Sequence, residues 1–276
     1  MLAARDVTTQ RAEVECDQSK RAEQPFTYKT NSRYRWNVLD LLSIFGGRAC
    51  VSHITCEIDM SNIQIKRNLN KGTGRTSTVT AYILKAIASA QVAHPQSRTF
   101  ALPFGKTVTY NDIVAGFTAE KQVNGEPIVF FGEIEQPHTK LVTDLADELR
   151  EYVDKDVMEV PKLKTQAVFC RFPWLLRQLV FQTARYFPVF RLLCMRATFG
   201  VSSLGSLGVA MCYGPSVCSS VFGVGAVEKR VEVRQGQLSV RDMMTLSLSF
   251  DQNVMDGASA ARFLNDVKRT LESGFE

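Results

Sequence analysis

Near the C-terminus the chain runs Asp251-Gln252-Asn253-Val254-Met255-Asp256-Gly257. The preceding stretch, TLSLSF (245–250), alternates apolar and polar residues as a strand does, and ASAARFL (258–264) has helical spacing. A strand that stops at a turn just before a helix is a place where a fold can deliver a reactive side chain. The side chain delivered here is a carboxamide. Gln252 offers one acceptor and two donors but has no proton equilibrium in water. It can hold a substrate group, yet it can neither take a proton nor attack a carbon. Proton-transfer chemistry would therefore need another residue, and the chain has three histidines, His53, His94 and His138.

Metal chemistry has little to build on. Seven cysteines occur, at 16, 50, 56, 170, 194, 212 and 218, and no C-x-x-C pair or His–Cys cluster suggests zinc. No metal is expected. The thiols read as reduced, which points to a cytoplasmic protein. The net charge of +5 over 276 residues is mild and scattered, so nucleic acid is not an expected partner. A phosphorylated ligand drawn to a slightly basic surface stays open. The leader MLAARDVTTQRAEVECDQSK lacks the apolar core of a secretory signal and reads as a disordered polar segment over 1–30, with a transit peptide as the alternative.

The elements that must position the motif are legible in part. RYRWNVLDLLSIF (33–45) reads as a helix. ACVSHITCEIDM (49–60) reads as a strand, with Val51, His53, Thr55 and Glu57 on one face and Ser52, Ile54, Cys56 and Ile58 on the other. NKGTGRTS is a loop that misses the phosphate-loop pattern. STVTAYILKAIASAQVAHP (77–95) reads as a helix capped by Ser77 and stopped by Pro95. Residues 105–136 contain strands around a turn at Asn124-Gly125, and 141–160 an amphipathic helix. FCRFPWLLRQLVFQTARYFPVFRLLCM (169–195) carries too many charges and prolines for a membrane span. Between its prolines, Arg177, Gln178, Gln182 and Arg185 recur at helical spacing, with Leu175, Leu179, Val180 and Phe187 on other faces. The expectation is an amphipathic helix packed on the body; contact with a membrane surface or a partner helix is the alternative. Strands and helices mix without repeated βαβ units, so the expected class is α+β with a mixed or antiparallel sheet, in one domain over 31–276 with an insert at about 161–195.

FGVSSLGSLGV, followed by VFGVGAVEKRVEVRQGQLSVRDMMTLSLSFDQNVMDGASAARFL, resembles the catalytic domain of the dihydrolipoyl acyltransferases of 2-oxoacid dehydrogenase complexes, a domain that shares its fold with chloramphenicol acetyltransferase. SHITCEIDM and the helix ending in His94-Pro95 are similar to the family's early strand and helix. The resemblance implies a chloramphenicol acetyltransferase-like fold with a mixed sheet flanked by helices. It also implies a homotrimer with each site between two subunits, and an acyl thioester of coenzyme A or a carrier protein as substrate. No lipoyl domain or subunit-binding domain is recognisable before the catalytic region, so the chain is similar to the short members of the family, with no lipoyl group and no tightly bound cofactor expected. The family signature is His-x-x-x-Asp-Gly preceded by Asp, and Gln252 stands where the histidine, the general base, should be.

By the same resemblance Ser202 donates to the developing oxyanion, and Asp256 pairs with an arginine near the domain start, with Arg35 the candidate and Arg33 the runner-up. Gly257 permits the turn, Asp251 supports it, and Asn253 borders the substrate. His53 lies on the early strand, near the acyl channel in this fold, and is the candidate substitute base; its bland alternative is a hydrogen-bonded structural histidine. Cys56 shares that geography as a substrate-side thiol, with an inert buried thiol as its alternative. Two functions stay open. One is a biosynthetic enzyme acting on an acyl thioester without histidine chemistry, through amide formation, condensation or cyclisation. The other is a catalytically inactive scaffold that binds partners.

Overall fold

The structure, a computed structural model, describes residues 32–275 except Arg48, Thr73, Thr76 and Asn124. The polar leader at 1–30, Cys16 and the Asn124 half of the expected turn lie outside the described residues. In chain order the elements are α1 (Arg33–Leu41), a π-helical turn (Leu42–Gly46), β1 (Val51–Asp59), α2 (Ser61–Gly72) and α3 (Val79–Ala93). Then come β2 (Thr99–Ala101), β3 (Thr107–Thr109), β4 (Val114–Val123), β5 (Glu126–Glu135), α4 (Val142–Asp154), α5 (Pro161–Phe169), α6 (Trp174–Tyr186) and α7 (Pro188–Cys194). The chain closes with β6 (Phe199–Ser203), β7 (Ser220–Arg234), β8 (Gln237–Asp251) and α8 (Gly257–Ser273).

Six strands form one mixed sheet in the order β1-β8-β7-β6-β4-β5. The β1–β8, β7–β8 and β4–β5 pairs are antiparallel, and β6 runs parallel to both β4 and β7. The α+β class is as expected. One sheet face carries Phe199, Val201, Phe222, Leu246, Leu248 and Phe250, packed against α3 and the apolar stripe Phe263, Leu264, Val267 and Leu271 of α8. The cap of α3 is Thr78 rather than Ser77. Thr78 Oγ1 accepts the Ala81 N–H at 3.1 Å, whereas Ser77 is buried and its hydroxyl accepts from Asn70 Nδ2.

The other sheet face is built of small residues, among them Gly200, Gly223, Ser247 and Ser249, and segment 209–213 lies directly on it. A Cβ on Gly223 would sit 1.9 Å from the Cys212 carbonyl oxygen, and one on Gly225 equally close to that of Ala210. No side chain fits at either place. The Ala226 N–H donates to Val209 O at 2.8 Å and fixes the segment to the strand.

The proline-bracketed region departs from its expected orientation. It forms α5, α6 and α7, and α6 buries Arg177, Phe181 and Ala184 while Leu175 and Leu179 are 73% and 63% exposed. The polar stripe was expected outside. The reason is Asp40 on α1, which meets Arg177 Nη2 at 3.0 Å and Gln178 Nε2 at 2.8 Å. Burial pushes the Asp40 carboxyl up from its ordinary pKa, and Arg177 and Gln178 counter that push. Among the described residues no helix is long and apolar enough to cross a membrane.

A second buried carboxylate, Asp59, ends β1. It accepts the Ser61 N–H at 3.0 Å and pairs with Arg234 at 3.0 Å on the β7–β8 hairpin, with Arg241 at 4.0 Å. Burial raises this carboxyl, but the Ser61 hydrogen bonds and the two guanidinium groups outweigh it and hold it below its usual value.

Two outcomes are expected. Asp40→Ala leaves Arg177 buried and unpaired, so urea unfolding should show a loss of ~3 kcal/mol; a change within error would mean that the pair contributes nothing. For Asp59 the folded pKa lies below the unfolded one. Its contribution is complete above about pH 4 and is lost as pH falls through the folded value. The stability gap between the parent and Asp59→Asn should therefore narrow on acidification, and a gap that stays constant with pH would contradict the pairing.

Candidate active site

The motif is a turn tied to β1. Asp251, paired with Val51 across the ladder, accepts through Oδ1 from the Cys50 N–H and the Asn253 N–H, each at 3.0 Å, and from Asn253 Nδ2 at 2.8 Å. Its carbonyl takes the N–H groups of Val254 and Met255. The carboxylate and carbonyl of this one residue together take the N–H groups of Asn253, Val254 and Met255. The main-chain N–H of Gln252 donates to Cys50 O at 2.9 Å and extends the ladder by one pair. Its side chain lies beside β1. Nε2 donates to Ser52 Oγ at 2.6 Å, and Cys50 Sγ stands 4.0 Å from Oε1.

Two expected supports turn out differently. Asp256 is the N-cap of α8, with Oδ1 accepting the Ser259 N–H at 2.7 Å, and hydrogen bonds from Ser259 hold its carboxyl below the usual range. Among the described residues it makes no ion pair with Arg35 or Arg33. A carboxylate at a helix start meets unpaired N–H groups and the positive end of the helix dipole, which is partnership enough. Gly257 is the first residue of that helix, with no positive φ and open space where a Cβ would stand. The turn does not need a glycine there.

Strand parity separates the remaining candidates. His53 pairs with Ser249 and hydrogen-bonds its hydroxyl through Nδ1 at 2.8 Å, with the imidazole 4.8 Å from the Tyr213 ring. Ser52, the residue that Gln252 touches, pairs with Phe250 on the core-facing side of the sheet. His53 and Gln252 therefore leave the sheet on opposite faces and do not meet within the chain. Ser202 shares the face of His53. It lies level with Gly223, Ser247 and Thr55 along the register, three strand spacings or ~14 Å from β1. Gln252 is five residues beyond Ser247, roughly 17 Å further along β8. Cys56 is on the face opposite His53, and burial pushes its thiol up to about 11, so it stays protonated and inert at neutral pH. His94 ends α3 and meets Asp266 at 2.8 Å. His138 sits in a loop where burial, Arg98 and Lys85 depress its pKa.

Ser202 lines an apolar cavity of about 110 Å³ with Gly200, Gly214, Pro215 and Val221. Asp251 and Asn253 border a separate pocket of about 250 Å³. Gln252 lines neither. Cys50 and Ser52 are the neighbours of Gln252 that sequence reasoning missed. Strand alternation placed Ser52 on a face, but only the antiparallel pairing of β1 with β8 brings that face to the motif. Among the described residues no cluster of His, Cys, Asp and Glu is arranged to hold a metal ion.

Residues 194–275 match the family model for the 2-oxoacid dehydrogenases acyltransferase (catalytic domain). The dihydrolipoyllysine-residue acetyltransferase component of the Rickettsia bellii pyruvate dehydrogenase complex is 39% identical over 79 residues, which are 27% of this chain and 18% of that protein. The match thus spans about a fifth of that relative's length. Solved structures extend the likeness. A dihydrolipoamide acetyltransferase of Azotobacter vinelandii superposes with a TM-score of 0.68 at 20% identity, covering 90% of this chain and 91% of its own. A probable dihydrolipoamide acetyltransferase of Listeria monocytogenes gives 0.67 at 21%, covering 90% and 95%. The C-terminal segment 194–275 is thus similar to the acyltransferase catalytic domain of the 2-oxoacid dehydrogenases, and nine-tenths of the chain is built on that domain's fold.

Proposed function

We propose that the protein is a biosynthetic acyltransferase-type enzyme that acts on an acyl thioester, of coenzyme A or of a carrier protein, by chemistry that needs no histidine base. The observation that carries this reading is the family match of the motif-bearing segment together with a carboxamide at the base position. The Azotobacter vinelandii relative was investigated for the role of a serine, a histidine and an asparagine in its catalytic mechanism. In this chain Ser202 would take the part of the serine and Gln252 the place of the histidine.

An amine nucleophile suits such a site. It attacks the thioester carbon as the free base, the C–N bond forms and the C–S bond breaks. The proton shed by nitrogen leaves with the thiolate as thiol, and no side chain has to hold it. Gln252 Oε1 would accept an N–H of the acceptor and orient it, while the Ser202 hydroxyl donates to the oxyanion. Such donors contribute typically ~3 kcal/mol to lowering the barrier, and positioning supplies several kcal/mol more. Condensation or cyclisation of an activated acyl chain meets the same requirement. Ser202 and Gln252 lie on opposite faces of the sheet within one chain, which fits a site completed by a second copy, as in a homotrimer. The reading uses no lipoyl group and no resident cofactor.

The test is a paired assay of the parent and Gln252→His with acyl-coenzyme A and thiol, alcohol or amine acceptors, following free-thiol release. The parent should release thiol with amine acceptors. The histidine variant should gain transfer to thiols by ~10²–10⁴-fold, the usual worth of a general base. If neither protein consumes thioester or binds coenzyme A, the reading fails and an inactive scaffold replaces it.

A further inference from the structure

A buried cation lies beside the motif turn, and among the described residues no anion pairs with it. Arg191, on α7, is 9% exposed and its guanidinium stacks between two rings, 3.9 Å from the centroid of Phe100 and 4.7 Å from that of Phe45. Nη2 donates to Val217 O at 2.8 Å, and Nε has no hydrogen-bond partner. The titratable groups facing it are Cys218, Tyr110 and Cys194, none of them a carboxylate. The other two buried ionic groups described above found opposite charges: Asp40 met Arg177, and Asp59 met Arg234. Cation–π contacts and one carbonyl replace only part of the hydration of a guanidinium.

This arginine lines the pocket of about 250 Å³ that Asp251 and Asn253 border. The volume lies just below that of drug-sized ligand sites, which run ~300–1,000 Å³, and suits a smaller molecule. Ile44, Phe45 and Val217 give the pocket an apolar wall, and Ser216 and Ser219 lie in its floor. The charged residues described in its lining are Arg185, Arg191 and Asp251, two cations against one anion. That balance matches a single negative charge rather than a dianion. We propose that this pocket binds a small monocarboxylate, with the carboxylate on Arg191 and a short apolar chain against Phe45 and Val217, beside the turn that carries Gln252. The site is independent of the thioester reading, because it is occupied without turnover.

Calorimetric titration of the whole chain tests it, with sodium butyrate, the neutral isostere butyramide and inorganic phosphate as probes. Butyrate should bind at one site per chain, and butyramide about tenfold or more weakly, the difference that one charge-assisted hydrogen bond makes. Arg191→Gln should lose butyrate to the same extent. Ala49→Phe should lose it too by filling the pocket while Arg191 stays in place, so the test stands even if the arginine variant does not fold. Equal binding of butyrate and butyramide, no binding of either to the parent, or butyrate binding that survives Ala49→Phe would overturn the proposal. Phosphate bound in preference to butyrate would also overturn it and give the pocket to a phosphorylated ligand.

Discussion

The two-residue period of β8 decides what the motif turn can reach. Odd-numbered residues near the strand end, Ser247 and Ser249, share one face with His53, and even-numbered residues, Leu248 and Phe250, share the other with Ser52. Gln252 continues the even series, so it inherits the side of Ser52 and Cys50 and is cut off from the imidazole one residue along β1. No rotamer change undoes this, because moving a side chain through a sheet means shifting the register by one residue and turning every core position outward. The carboxamide is therefore held by its neighbours on one strand, and the hydroxyl at Ser202 looks out on the other side. Within one chain the two side chains do not line a common pocket.

Local periodicity carried the sequence reading a long way. β1, β8, the β4–β5 hairpin and α8 were all legible because each buries one face and leaves a trace at period two or 3.6. α6 was legible as a helix and illegible in its orientation. Periodicity sorts polar from apolar, and it cannot see that Arg177 has a partner at Asp40, on another helix and far away in sequence. With that partner the charge of the arginine is paired inside, although its Nε makes no hydrogen bond, and Leu175 and Leu179 remain outside. The same blindness explains Asp256. Its type fits both a salt bridge with Arg35 and a helix cap, and only the geometry of the turn selects the cap. Ser77 and Thr78 are both good capping residues, and their order in the chain did not decide between them.

Buried charge divides this molecule into places that are finished and one that is open. Asp40 and Asp59 each meet an opposite charge that also fastens elements far apart in sequence: α1 to α6 in one case, and β1 to the β7–β8 hairpin in the other. These are joints. Arg191 has the same burial without an opposite charge among the described residues, and it lines a pocket at the edge of the motif turn. The contrast within one chain is more telling than either observation alone, since the same fold shows what a satisfied buried charge looks like.

Segment 209–213 lies so close on β7 that Gly223 and Gly225 leave no room for a Cβ, and its carbonyls do the fastening, Val209 O accepting from the Ala226 N–H and Cys212 O from the Ser247 hydroxyl. Both bonds end on main-chain carbonyls, so the path of the segment does not depend on its outward side chains. Met211 and Tyr213, about half exposed, ride on that track above the face where His53 lies. Such a segment can exchange its outward residues and keep its course. It is an exchangeable surface on a fixed rail, and the environment of His53 can be rewritten there without a change in the sheet beneath.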